Sequence, residues 1–83
     1  MKIDIYTVDY CPYCHTALKF LNARGVEYKH HDITKNETEM RKKLGEMYKI
    51  QGDVTVPQII VDGNRLGGYT DMIALADKNA LPF

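Results

Sequence analysis

The stretch Cys11-Pro12-Tyr13-Cys14 contains both cysteines of the 83-residue chain, and it comes just after an apolar, partly β-branched segment, Lys2–Thr7. Ile3 and Ile5 favour a strand in that segment, and Pro12 suits the first turn of a helix. Such a helix would place Cys11 at its N-terminus and Cys14 one turn further along the same side. The spacing therefore predicts a reversible disulfide at a strand-to-helix junction.

The middle of the chain predicts one more strand and one more helix. Gly25 ends the first helix near Arg24, and residues 26–33 follow as a second strand. Asn36 opens the second helix, where Glu39 completes a capping-box pattern. Four residues of this helix have the spacing of a buried face: Met40, Leu44, Met47 and Tyr48.

The last third predicts a hairpin followed by a helix. Residues 57–61 form a short buried strand with Pro57 at its first position, and Asp62-Gly63 is typical of a hairpin turn into residues 64–66. Gly67-Gly68 then bends the chain into a helix capped by Thr70 or Asp71. The order β-α-β-α-β-β-α predicts an α/β fold with a four-stranded mixed sheet and helices on both faces.

The cysteine pair has the placement and the chemistry of a redox site. Sites in such sheets form at the carboxyl ends of parallel strands, which is where Cys11 lies. A thiolate is the attacking species, whereas a free cysteine with a pKa of about 8.5 is mostly protonated at neutral pH. The positive end of a helix favours the thiolate form. We therefore expect Cys11 to be the nucleophile and Cys14 to be the resolving thiol.

Length and composition exclude several classes of protein. A chain of 83 residues predicts a single domain over 1–83, and its formal net charge of zero argues against nucleic-acid binding. No run approaches the roughly 20 apolar residues of a membrane span, and the N-terminus lacks the apolar core of a signal peptide. We therefore expect a cytoplasmic protein, in which a cysteine pair is catalytic or metal-binding more often than structural.

Two other chemistries also use a cysteine pair of this spacing. Cys11 to His15 satisfies the Cys-x-x-Cys-His pattern of haem attachment, although the strand-rich order and the missing export signal oppose a cytochrome. Zinc could bind both cysteines and two histidines. However, His30 and His31 are adjacent, whereas zinc-finger histidines are three to five residues apart. We therefore predict no metal site.

The motifs together resemble those of the dithiol glutaredoxins, which have the thioredoxin fold. The resemblance rests on Tyr6-Thr7, the Cys11–Cys14 motif, Thr55-Val56-Pro57-Gln58-Ile59, and Gly67-Gly68 followed by Thr70-Asp71. It implies a glutathione-dependent thiol-disulfide oxidoreductase that reduces protein disulfides and glutathione mixed disulfides. Glutathione would be the reducing co-substrate, with no tightly bound cofactor, and a monomer is the default expectation.

The resemblance also implies a role for each residue around the cysteines. A cis peptide bond would precede Pro57, and the Val56 backbone would pair with glutathione like an extra strand. Tyr13 would line the groove, and Thr70 and Asp71 would bind the γ-glutamyl end of glutathione. Helix N–H groups suit its carboxylate, and the Asp71 side chain suits its ammonium group. Three residues would be structural near the site: Pro12, Gly67 and Gly68.

Two departures from the family pattern leave a second function open. Many glutaredoxins have a lysine where Val8 stands and a basic residue where Asp53 or Val54 stands, and both groups help to bind the glycyl carboxylate. Lys49 and Gln51 are candidates to replace them. The alternative is a redoxin that thioredoxin reductase recharges and that donates electrons to ribonucleotide reductase.

Two further alternatives are less favoured. An iron-sulfur carrier is known among glutaredoxin relatives, but a proline after the first cysteine, here Pro12, makes it less expected. A non-catalytic binding module that retains the fold would have an unreactive Cys11.

Overall fold

The computed structural model describes residues 1–83 and contains four strands and three α-helices. The elements are β1 (Ile3–Thr7), α1 (Pro12–Ala23), β2 (Lys29–Asp32), α2 (Glu37–Met47), β3 (Gln58–Val61), β4 (Asn64–Gly67) and α3 (Tyr69–Asp77). The strand order is β2-β1-β3-β4, in which β1 and β2 are parallel and the other two pairs are antiparallel. The predicted element order and mixed sheet are confirmed. None of the helices has the length and apolarity needed to cross a membrane.

The main core lies between one face of the sheet and the helices α1 and α3. Because side chains alternate along a strand, Ile3 and Ile5 of β1 lie on the same face. They join residues of β3, α1 and α3 in one buried cluster, completed by Ala17, Leu21, Ile59, Val61 and Met72. This packing fixes the start of α1, and with it the cysteine pair, at the end of β1.

The opposite face of the sheet carries α2. Leu44 is the one buried residue of this helix, and Ile60 of β3 is buried on the same face. Asp4 also lies there, with a carboxylate oxygen 2.8 Å from Nε2 of His31, whose ring stacks on Tyr6. His31 thus has a hydrogen-bond partner in a partly buried site, because the parallel register sets β2 beside β1.

Three local predictions are wrong. The second strand covers only Lys29–Asp32, because residues 26–28 do not pair with β1. Asn36 makes no capping hydrogen bond through its side chain, since a 3₁₀ turn at Thr34–Asn36 leads into α2. Met47 is 64% exposed, because α2 turns only Leu44 fully into the core.

Candidate active site

Cys11 occupies the N-cap position of α1. Its extended backbone conformation ends the loop after β1, and its sulfur accepts a hydrogen bond from the backbone N–H of Cys14 at 3.2 Å. Pro12 takes the first helical position, where a missing N–H costs nothing. The sulfur of Cys11 therefore lies at the positive end of the helix, where unpaired N–H groups stabilise a negative charge.

Cys14 is completely buried one turn into α1, and both cysteines are free thiols. Burial raises the pKa of Cys14 to about 12, with a further contribution from its hydrogen bond to Cys11. A backbone hydrogen bond from Val8 and the positive charge of Arg41 act in the opposite direction on the same pKa. Cys14 is therefore protonated at neutral pH in the dithiol form, and Cys11 is the more accessible of the two sulfurs.

The loop before β3 lies directly beside Cys11. The sulfur of Cys11 is 3.7 Å from the carbonyl oxygen of Val56, and the expected cis bond between Val56 and Pro57 is confirmed. Gln58 is buried, and its amide donates to the Thr55 carbonyl oxygen at 2.9 Å. These contacts hold residues 55–58 as a wall next to the start of α1.

The start of α3 forms the other side of the site. Gly68, not Thr70 or Asp71, is the N-cap residue, because the backbone turns into the helix one residue before Tyr69. The Asp71 carboxylate accepts the Gly68 N–H at 2.9 Å. Gly67 has φ +125°, and a Cβ there would lie 2.5 Å from Oδ2 of Asp71, so the bend leaves no room for a side chain. The carboxylate of Asp71 is thus held at the mouth of the helix.

A groove of about 310 Å³ lies between these three segments. Its volume is near the lower end of the range of about 300 to 1,000 Å³ that is usual for small-molecule pockets. The groove brings together six of the predicted residues with Thr55 and Tyr69: Tyr13, Val56, Pro57, Gly68, Thr70 and Asp71. The rings of Tyr13 and Tyr69 are 5.8 Å apart at its edge. Cys11 adjoins this groove through its contact with Val56.

The residues that depart from the family pattern lie outside the groove. Val8 is buried, and Asp53 lines a separate depression of about 550 Å³ between α2 and the following loop. Lys49 and Gln51 are exposed and do not line the groove. None of these four residues therefore supplies a positive charge to the groove.

The sequence reasoning missed one cation near the cysteines. Arg41 of α2 donates from Nη1 to the Val54 carbonyl oxygen at 2.7 Å, and its positive charge acts to lower the pKa of Cys14. No motif contains Arg41, and it is not among the four residues that have the spacing of a buried face in this helix. Only the packing of α2 beside the loop before β3 reveals the contact.

Comparison with known proteins assigns the chain to a family. The glutaredoxin family model matches residues 3–66. Glutaredoxin 3 of Escherichia coli strain K12 is 39% identical over 80 residues, which cover 96% of this chain and 92% of that protein. The chain belongs to the glutaredoxin family. Another glutaredoxin, from Neisseria meningitidis serogroup A, is 33% identical over 79 residues that cover 95% of this chain and 89% of the relative.

Solved glutaredoxin structures have the same fold. Glutaredoxin 1 of Francisella tularensis, crystallised with cacodylate, is 28% identical with a TM-score of 0.80, and the match covers 94% of each chain. The dithiolic glutaredoxin 2-C-Grx1 of Trypanosoma brucei brucei is 32% identical with a TM-score of 0.81, covering 95% of this chain and 80% of the other. The thioredoxin-like fold expected from the sequence is therefore confirmed. Membership of the glutaredoxin family implies thiol-disulfide oxidoreductase activity.

Proposed function

We propose that this glutaredoxin is a glutathione-dependent oxidoreductase that acts as a monomer in the cytoplasm and reduces glutathione mixed disulfides and protein disulfides. The observation that carries the proposal is the position of the Cys11 sulfur. It lies at a helix N-terminus and beside a groove bordered by the Val56 backbone and the Asp71 carboxylate. A nucleophilic sulfur and a site for a small polar peptide therefore adjoin each other.

In the first reaction, the Cys11 thiolate attacks the glutathione sulfur of a mixed disulfide. A disulfide between Cys11 and glutathione forms, the original S–S bond breaks, and the substrate leaves as a thiolate that takes up a proton. The thiolate of a second glutathione then attacks the bound glutathione sulfur, which releases glutathione disulfide and the Cys11 thiolate. In the net reaction one glutathione thiol is consumed: its sulfur joins the glutathione sulfur taken from the mixed disulfide, and the substrate sulfur is reduced from disulfide to thiol.

The groove would hold glutathione in an extended form through three contacts. The Val56 backbone borders the groove where the cysteine of glutathione would pair with it. Thr70 and Asp71 lie in the first turn of α3, where N–H groups attract a carboxylate and the Asp71 side chain attracts an ammonium group. Tyr13 is 63% exposed at the rim and offers an apolar face to the bound peptide.

In the second reaction, Cys14 resolves a mixed disulfide between Cys11 and a protein. The pKa of Cys14 is high because of burial and because Cys11 adds a hydrogen bond and a nearby charge. Once Cys11 is bound in a disulfide, its negative charge disappears and one cause of the raised pKa is lost. Arg41 and the Val8 backbone still favour the Cys14 thiolate. The Cys14 thiolate then attacks the Cys11 sulfur: the bond between Cys11 and the protein breaks, the protein leaves as a dithiol, and a Cys11–Cys14 disulfide forms. Two glutathione molecules reduce this disulfide through a mixed disulfide at Cys11 and leave as glutathione disulfide.

An assay with two alternative reductants tests the dependence on glutathione. The substrate is a glutathionylated small disulfide, and turnover is measured with glutathione and glutathione reductase or with thioredoxin reductase. We expect turnover with glutathione. Turnover with thioredoxin reductase alone would instead support the alternative, a redoxin that donates electrons to ribonucleotide reductase. The absence of a basic residue at positions 8 and 53 is the observation that favours this alternative.

Two serine variants test the assigned roles of the cysteines. Cys14→Ser should retain activity on glutathione mixed disulfides but lose most reduction of protein disulfides, because only the second reaction needs a resolving thiol. Cys11→Ser should lose both activities. Substantial residual turnover by Cys11→Ser would show that the roles are misassigned.

A further inference from the structure

The helix α2 is attached to the rest of the molecule by few contacts. It buries a single residue, Leu44. Two residues one turn apart make the side-chain hydrogen bonds that join α2 to other segments: Glu37 accepts from Tyr10, and Arg41 donates to Val54. The position of α2 beside the site therefore depends strongly on these two side chains.

The two side chains belong to one continuous network. The Tyr10 hydroxyl donates to the Glu37 carboxylate, with distances of 2.5 and 2.6 Å to its two oxygens. Arg41 places Nη2 2.8 Å from the same carboxylate and donates from Nη1 to the Val54 carbonyl oxygen at 2.7 Å. The third nitrogen, Nε, is buried without a hydrogen-bond partner. The guanidinium thus bridges the Glu37 carboxylate and the Val54 carbonyl oxygen, and this arrangement leaves its Nε donor without a partner.

The network joins the two segments that flank the reactive sulfur. Tyr10 immediately precedes Cys11, and Val54 lies two residues before Val56, whose carbonyl oxygen contacts Cys11. Val54 is buried, and its side chain packs closely against Gly45 of α2. A Cβ added at Gly45 would lie only 3.2 Å from the Val54 side chain. Val54 is therefore held from two directions, by packing against α2 and by the hydrogen bond from Arg41. Residues 48–57 form no helix or strand, so these contacts have a large effect on their position.

We propose that Arg41 is a positioning residue that holds residues 54–57, which form one wall of the groove, in place beside the Cys11 sulfur. This inference rests on the proposed function, because that wall is the surface that would bind glutathione. A planar guanidinium can bond the Glu37 carboxylate and the Val54 carbonyl at the same time, whereas a lysine ammonium on a flexible stem is a single point of charge. The fork of the arginine, and not only its charge, is therefore required.

Kinetics of Arg41→Gln and Arg41→Lys test the proposal. Lys43→Gln is the matched control, because Lys43 lies on the same helix and pairs with Glu39 across one turn at 3.9 Å but is largely exposed. We expect both Arg41 variants to raise KM for a glutathionylated peptide roughly tenfold, which corresponds to the lower end of what loss of a hydrogen bond to a charged group costs. The kcat should stay within about twofold, because the wall binds substrate and transition state alike. Lys43→Gln should leave both constants unchanged.

Amide hydrogen exchange gives an independent readout. In the Arg41 variants, the amides of Val54, Thr55 and Val56 should exchange faster, while those of β1 should keep the wild-type rate. Wild-type KM in Arg41→Lys, an equal change in Lys43→Gln, or unchanged exchange at residues 54–56 would each overturn the inference. Arg41→Lys also keeps the test valid if Arg41→Gln does not fold. If the wild-type protein does not turn over the peptide at all, the proposed function fails, whereas the exchange measurement still tests the positioning role.

Discussion

The two proposed roles of Asp71 can be separated by substitution. Its carboxylate accepts the Gly68 N–H at 2.9 Å and also borders the groove. Asp71→Ala removes the acceptor and the charge, whereas Asp71→Asn removes the charge but keeps an oxygen that can accept the same hydrogen bond. Stability and substrate binding should therefore respond differently to the two variants.

The expected stability changes follow from the position of Asp71 in the first turn of α3. Loss of a capping hydrogen bond costs about 1 kcal/mol, and loss of a negative charge at a helix N-terminus costs about 0.3 to 1 kcal/mol. Asp71→Ala should thus lower the free energy of unfolding by about 1.5 kcal/mol, which lowers Tm by roughly 6 to 12 °C in a domain of this size. Asp71→Asn should lose only the charge contribution, about 0.5 kcal/mol of that total, which is a decrease of roughly 2 to 4 °C.

The expected binding change is the same in both variants. A hydrogen bond between charged groups contributes about 1.5 to 3 kcal/mol, and Asp71 is exposed, so we expect about a tenfold rise in KM for a glutathionylated peptide. The control substrate is the mixed disulfide with cysteinylglycine, which lacks the γ-glutamyl group. Its KM should be nearly equal in the wild-type protein and in Asp71→Asn.

Three results would refute this reasoning. Wild-type KM in Asp71→Asn would mean that the carboxylate only caps α3. An equal KM increase for the cysteinylglycine substrate would mean that the substitution disturbs the groove as a whole. Equal losses of Tm in Asp71→Asn and Asp71→Ala would mean that the asparagine oxygen does not replace the capping acceptor.

Three further predictions concern stability, each measured by urea unfolding. The pKa of Cys14 is raised from about 9 in the unfolded chain to about 12 in the folded protein. Its protonated thiol therefore contributes fully to the free energy of unfolding below pH 9, and this contribution is lost as the pH rises towards 12. Wild-type stability should fall more between pH 8 and pH 10.5 than that of Cys14→Ser, and equal slopes would contradict this. Gly67→Ala should cost about 1 to 3 kcal/mol, because φ is +125° and the new Cβ would approach Asp71. A neutral effect would show that the bend can relax. Leu44→Ala should cost about 2 to 5 kcal/mol, and a cost below about 1 kcal/mol would show that α2 does not depend on this residue.

Local sequence patterns were sufficient for most of the fold. The cysteine motif after a strand, the Asp62-Gly63 turn and the Gly67-Gly68 bend are governed by interactions within a few residues, and each lies where it was predicted. The predicted cap of α3 was wrong because the helical backbone already begins at Tyr69, which makes Gly68 the N-cap, and the Asp71 carboxylate accepts the Gly68 N–H. The capping box at Asn36 failed because the 3₁₀ turn before α2 changes the backbone at that residue.

The sequence by itself determined the element order and the family, and it suggested Cys11 as the nucleophile, because these depend on motifs that are short in sequence. Only the tertiary structure decided how Val54 and Arg41 meet and how deeply Cys14 is buried. Arg41 and Val54 are 13 residues apart, and no local pattern records their hydrogen bond. The pKa of Cys14 likewise depends on the solvent that neighbouring elements exclude, and that exclusion exists only once α1 and the sheet have packed together.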